Sequence, residues 1–275
     1  MHPLVGDWAL WQQAGRRAKR TVAERTRVIM AFLNDTGTDP LSSTPMDIIG
    51  WLAANDQWSQ STAATYHSYL MSWHKFLVLM EHRTDNPMYK TQTPKRPERS
   101  PRPVSDADLI KLLTVRVRRR TKVMLLLAAL AGLRVAEIAN VKGDDIDLGA
   151  GRIQVTGKGN KRAWVPLHPL LKEVALTMPT HGFWFPGNSR RPGKAIRSKS
   201  VSDIIGQAMG RAGVRGTPHS LRHWYATTLL SGGADLRTVQ ELMRHSSVQT
   251  TQVYTQVPDA RRTEAVYRLD PYRAA

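Results

Sequence analysis

The sequence contains no cysteine, which excludes disulfide frameworks, thiolate zinc sites and cysteine nucleophiles and is compatible with a reducing compartment. It also lacks a long apolar run. The longest, Val123 to Leu133, is far short of a membrane span. The segment from Met1 to Leu10 has neither the charged start nor the apolar stretch of a secretory signal, so the chain reads as cytoplasmic. Acidic side chains are scarce, 22 against 40 lysines and arginines in 275 residues, and the formal charge is +18. Such an excess favours a polyanionic partner, with nucleic acid the leading candidate. Charge alone leaves a merely basic soluble protein open, because it implies nonspecific affinity and salt dependence but no chemistry.

What is present is enough apolar material, 41% of residues, for two compact domains. Residues 1–84 read as a helical bundle. Thr21 precedes Glu24, and Thr44 precedes Asp47 with Pro45 between them, both at capping-box spacing. Trp51 and Leu52, then Tyr66, Tyr69, Leu70, Trp73, Phe76, Leu77 and Met80 recur at threes and fours, the stripe of helices with one buried face. Arg16, Arg17, Lys19, Arg20, Arg25, Arg27 and Lys75 fall on the other faces, solvated unless DNA lies there. Residues 85–104 carry Pro87, Pro94, Pro97, Pro101 and Pro103 among Lys95, Arg96, Arg99 and Arg102. Prolines at this density keep a segment extended, so it reads as a basic linker, and its charges suit a phosphate backbone.

Residues 105–275 form the second domain. Ser105 and Asp108 open a helix, Val123 to Ala131 form a buried one, and Gly132 ends it. Three short strands follow at Asp145 to Leu148, Arg152 to Thr156 and Arg162 to Pro166, the last two joined by the turn Gly157-Lys158-Gly159-Asn160-Lys161. From Pro169 the chain returns to helices. Within it stand His219-Ser220-Leu221-Arg222, then His245, then Tyr254. If Pro218 begins a helix, His219 and Arg222 lie one turn apart and face one way.

These segments, with Ala131-Gly132-Leu133-Arg134-Val135-Ala136-Glu137, resemble the tyrosine recombinases, the family that includes phage integrases, Cre and the Xer proteins. The motifs follow the family's order and separations over roughly the last 170 residues; the likeness of the N-terminal part is architectural. The resemblance implies a mainly α fold, with a helical bundle followed by a mixed α/β catalytic domain holding a small antiparallel sheet. It implies that Tyr254 attacks the scissile phosphate and that Arg134 and Arg222 hold its nonbridging oxygens, a task for a permanently charged planar fork. Lys158 would protonate the leaving oxygen, His219 would accept a proton or donate to the phosphate, and His245 would add a hydrogen bond. Glu137 would orient the cations by pairing with them. Neither cofactor nor metal is implied. Partners would be core-type sites in double-stranded DNA, other copies of the chain in a tetramer, and a directionality factor. The C-terminal tail, about 256–275, would pack on a neighbouring protomer, and the bacterial host's nucleoid would be the place of action.

Each residue has a plainer reading. Tyr254 is one of seven tyrosines, and it is the spacing from His245 that singles it out. Tyr225, one turn beyond Arg222, is the competitor and reads as core beside Trp224 and Leu229. Arg134 with Glu137 is otherwise a surface ion pair, and Lys161 reads as a solvated turn residue that also suits DNA. The position before His245 is usually glycine in the family and is Arg244 here, a further candidate for the DNA backbone. The start of the chain leaves no room for an arm-binding domain, which favours a short phage integrase. An Xer-type dimer resolvase is the alternative; a type IB topoisomerase, which generally has lysine at the His219 position, and a silent DNA-binding protein are more distant ones.

Overall fold

A computed structural model describes residues 2–97, 102–157 and 160–244. Arg99, Lys158, His245, Tyr254 and the tail at 256–275 lie outside the described residues. The chain divides into two compact units, Met1–Glu98 and Arg99–Ala275.

In the first unit, helices α1 (Pro3–Ala14), α2 (Lys19–Thr36), α3 (Pro45–Ala54) and α4 (Gln60–Leu79) surround a core of Trp8, Ile29, Phe32, Ile48, Leu70, Trp73 and Leu77. Burying each of the aliphatic and phenylalanine side chains among these stabilises the fold by about 1.5–3 kcal/mol. Trp8 meets Trp73 edge-on at 5.4 Å, and Trp58 bridges Trp51 and Tyr66 at 4.9 and 4.8 Å. The stripe is as expected up to Leu77, while Met80 is 40% exposed. Thr44 caps α3: its Oγ1 accepts from Asp47 N, and the Asp47 carboxylate accepts from Thr44 N at 2.7 Å. Thr21 caps nothing. Helix α2 begins two residues earlier behind Ala18, and Glu24 pairs with Arg27 at 2.8 Å instead. Arg25, expected on the solvated face, turns inward, where its Nη1 donates to Gln12 and Ser72 and its guanidinium lies over the Tyr69 ring. Pro87 also differs from its reading as linker. It starts a 3₁₀ turn, Pro87–Lys90, in which Asn86 accepts from Met88 N and both Pro87 and Met88 are buried in this unit. Proline's fixed φ suits the first helical position as well as an extended chain.

His74 is wholly enclosed in α4. Its Nδ1 lies 2.9 Å from the Leu70 carbonyl, which can only accept, so Nδ1 carries the proton and Nε2 accepts from the Ser43 hydroxyl at 3.1 Å. Burial, aided by the Arg83 charge, depresses its pKa to about 4. Unfolded histidine protonates near 6.5, so between these values the unfolded chain binds more protons than the folded one. Stability is therefore complete above pH ~6.5 and declines as pH falls toward 4, by about 3 kcal/mol. Denaturant unfolding at a series of pH values should show that slope in the wild type and a correspondingly shallower one in His74→Gln.

The second unit opens with α5 (Asp106–Thr114), capped by Ser105 Oγ, which accepts from Asp108 N at 3.1 Å. Helix α6 (Arg119–Leu130) is buried from Val123 through Ala129 and lies against α9 (Ser198–Arg211) and α10 (Pro218–Ser231). A three-stranded antiparallel sheet follows in the order β1 (Ile146–Asp147), β2 (Arg152–Thr156), β3 (Arg162–Pro166), with Ile153 opposite Val165 and Val155 opposite Ala163. Ile153, Val155 and Val165 face the core, and Trp164 faces out beneath the Arg152 guanidinium. The short helices α7 (Val135–Ala139), α8 (Pro169–Ala175) and α11 (Leu236–Leu242) complete the unit, which is mainly α with a small sheet as the sequence implied. Among the described residues, no helix is long and apolar enough to cross a membrane.

Candidate active site

The site forms where three chain reversals of the second unit meet. At the first, Gly132 adopts φ +57 after α6, a left-handed conformation that suits glycine. It swings the chain so that Arg134 becomes the N-cap of α7. Glu137 then reaches back over that end, its Oε2 accepting from Arg134 N and its Oε1 from Arg134 Nη1, both at 2.8 Å. A carboxylate is doubly favoured there, by the unpaired amides and by the helix dipole.

At the second reversal, Pro218 begins α10 behind Thr217, putting His219 and Arg222 on one face as the spacing implied. Arg222 is 1% exposed. Its Nη1 donates to the Gly132 carbonyl and its Nη2 to the Met243 carbonyl. Leu133, Arg134, Thr217, Pro218, His219 and Arg222 line a cleft of about 360 Å³. His219 is exposed at its rim. Partial desolvation of the ring, then the charges of Arg222 and Arg134, hold its pKa below the ordinary histidine value, so near neutral pH it is an unprotonated imidazole with a lone pair to offer. His223, which the motifs did not pick out, packs edge-on against His219 with ring centroids 4.3 Å apart. Burial, then His219 and Arg222, lower its pKa to about 4. The signal available in the sequence was its spacing of four from His219.

The third reversal follows α11. Met243 offers its carbonyl to Arg222 and, at 3.4 Å, to Arg134. Arg244 then takes φ +52, a left-handed conformation that suits the glycine the resemblance led one to expect at this position. Its side chain is 9% exposed and turns inward, away from the DNA role expected of it. Nη2 donates to Glu137 Oε2 at 2.8 Å and to the Gly132 carbonyl at 3.0 Å, and Nη1 donates to the Leu242 carbonyl at 2.7 Å. A buried carboxylate within reach is a stronger lure for a guanidinium than solvent. Burial pushes the Glu137 carboxyl up, but the Arg244 charge, the Arg134 amide and the Arg134 charge together hold it below the usual range.

The turn between β2 and β3 lies at the edge of this cluster. Gly157 N donates to the Lys161 carbonyl at 2.8 Å, and a Cβ on Gly157 would stand 3.9 Å from Glu137 Oε1. Thus Arg134, Glu137, His219, Arg222 and Arg244 come together, with Gly157 at the end of β2 beside Glu137. Lys95 and Arg96 of the first unit, and Arg102 and Lys161 of the second, are exposed. Tyr225 packs its ring against Gly132, as its reading as core implied, and burial raises its pKa.

The model of the phage integrase family matches residues 107–261 of the chain. The tyrosine recombinase XerA of Pyrococcus furiosus is 30% identical over 97% of this chain and 94% of its own length. Among solved structures, the integrase from mycobacterium phage Brujita is 47% identical and covers 100% of this chain and 95% of its own, with a TM-score of 0.52. A lambda integrase dimer bound to a core site, 19% identical with a TM-score of 0.74 over 92% of this chain and 94% of that one, shares the fold.

Proposed function

Because the chain belongs to the phage integrase family and is a site-specific tyrosine recombinase, we propose that it breaks and rejoins DNA through Tyr254 at the cleft formed by Arg134, His219 and Arg222. The convergence of these three side chains on one concave surface carries the reading. The Tyr254 oxygen attacks the scissile phosphorus, the bond to the 5′ oxygen breaks, and a 3′-phosphotyrosine and a free 5′ hydroxyl result. His219, unprotonated near neutral pH, takes the phenolic proton, and Lys158 supplies one to the departing oxygen. Arg134 and Arg222 bind the nonbridging oxygens, whose charge grows in the transition state. A 5′ hydroxyl from the partner strand then reverses the sequence. Each phosphate–oxygen bond broken is replaced by another, so no nucleotide hydrolysis is required. His245 adds a donor to the phosphate, while Lys95, Arg96, Arg99, Arg102 and Lys161 meet the backbone of the duplex.

The substrates are core-type sites in double-stranded DNA, brought together by a tetramer in the cytoplasm of a bacterial host, and the outcome is integration or excision of a phage genome. Identity of 47% to a phage integrase over nearly both whole chains supports that outcome. The 30% identity to XerA favours dimer resolution as the second reading. To test the chemistry, the protein is incubated with a nicked suicide substrate bearing its site and resolved under denaturing conditions. A protein–DNA adduct on the peptide that contains Tyr254 is expected. Cleavage that leaves no adduct, or an adduct elsewhere, would overturn the proposal.

A further inference from the structure

Glu137 is an anion shared between two guanidinium groups, and only one of them faces the cleft. Its side chain is 3% exposed. Arg134, 38% exposed, holds Oε1 through a single hydrogen bond, whereas Arg244 holds Oε2 from within, anchored at the same time to the carbonyls of Gly132 and Leu242. A buried carboxylate stripped of its counter-ion is strongly destabilising. With one cation only, that penalty would resist any movement of Arg134 toward a phosphate.

We propose that Arg244 is a positioning residue: the standing counter-ion of Glu137, it allows Arg134 to leave that carboxylate for the scissile phosphate without stranding a buried charge. The inference rests on the reading that Arg134 binds the phosphate. After Arg134 departs, Glu137 keeps two donors, Arg244 Nη2 and the Arg134 amide, and keeps one full positive charge beside it. Arg222 does not compete for the carboxylate, since its Nη atoms donate to Gly132 and Met243. The arginine thus does more than tolerate a left-handed backbone position usual for glycine.

Among the described residues, the charged groups that act on Glu137 are Arg244 after α11 and Arg134 at the start of α7; Arg222, His219 and Tyr225 on α10 lie near those two arginines, and the Gly157 turn lies at the edge. Without Arg244 the Glu137 pKa rises, because burial remains while the largest opposing cause is gone. As pH falls through that raised value the carboxyl becomes neutral, and the cost of releasing Arg134 disappears. The deficit of a charge-neutral variant should therefore shrink on acidification. His219 titrates in both proteins, so the informative quantity is the ratio of variant to wild-type rates.

The test is single-turnover adduct formation on the suicide substrate across pH, with thermal unfolding as a check on folding. Arg244→Gln is expected to slow cleavage roughly tenfold at neutral pH, with a ratio that recovers as pH falls. Arg244→Lys, which keeps the charge, should remain near the wild-type rate, and adding Glu137→Gln to Arg244→Gln should restore part of the loss. Equal impairment by lysine and glutamine, or a double variant slower than Arg244→Gln alone, would overturn the role of Arg244 and leave the chemistry of Tyr254 intact. Absence of any wild-type adduct would strike the underlying reading instead. A 13C titration of Glu137 in the folded protein without DNA then decides the inference by itself: an unchanged Glu137 titration in Arg244→Gln would overturn it, and a raised one supports it.

Discussion

Replacing Tyr254 with phenylalanine is expected to abolish the covalent protein–DNA adduct, a loss of at least ~10⁴-fold in strand cleavage, while leaving binding to the recombination site within about tenfold. The change removes one oxygen. In the proposed mechanism that oxygen is the nucleophile, and a phenol can be positioned in line with the leaving oxygen only by the backbone that carries it. A formal charge of +18 is expected to place most of the binding energy in phosphate contacts, so affinity should hardly change. Tyr225→Phe is the matched control. Tyr225 lies on α10 with its ring against Gly132, filling space with its aromatic face. Phenylalanine keeps that face, and the adduct should form at close to the wild-type rate. Denaturing electrophoresis of both variants with the suicide substrate decides the matter: an adduct that survives in Tyr254→Phe and vanishes in Tyr225→Phe would exchange their roles.

The second large effect is structural in origin and catalytic in consequence. Gly132→Ala should destabilise the second unit by about 2–5 kcal/mol, the sum of a left-handed alanine and of overpacking. At φ +57 an added Cβ would stand 2.5 Å from Tyr225 Cδ1 and 2.8 Å from Cε1. These are ring atoms close to the root of the side chain, with little freedom to retreat. The Gly132 carbonyl also receives Arg222 and Arg244, so a shift of this peptide moves both guanidinium groups. Cleavage should fall with stability, by roughly 100-fold in protein that remains folded. Combining Gly132→Ala with Tyr225→Ala removes the clash and leaves the backbone strain. Recovery of part of the stability in that pair, measured by denaturant unfolding, is the expected outcome; none at all would place the whole cost in the backbone.

Most of the fold was legible because its signals are local. Thr44 with Asp47 and Ser105 with Asp108 cap the helices their spacing implied, and the strands at Arg152 and Arg162 run where alternation put them. Thr21 with Glu24 had the same spacing and failed, because helix α2 starts at Lys19 and runs through both residues. Pro87 likewise carried a signal compatible with two structures. Burial of Met88 in the first unit went with the turn.

For the site, the sequence by itself determined the chemistry on offer: which side chains carry permanent charge, that His219 and Arg222 share a helical face, and that Tyr254 follows His245 at the family's spacing. Such relations are set by helix geometry and residue type, which act within a few positions along the chain. Only the tertiary structure decided where Arg244 points. The sequence offered it to DNA, yet the end of α11 lies against the start of α7, and a buried carboxylate there captures the guanidinium at 2.8 Å. In the first unit, the packing of α1 and α4 against α2 likewise drew Arg25 off the solvated face, toward Gln12 and Ser72. Each is a contact made by the folded arrangement of elements. The strength of a charge pair depends on burial and on distance through space, and neither is written in the order of residues.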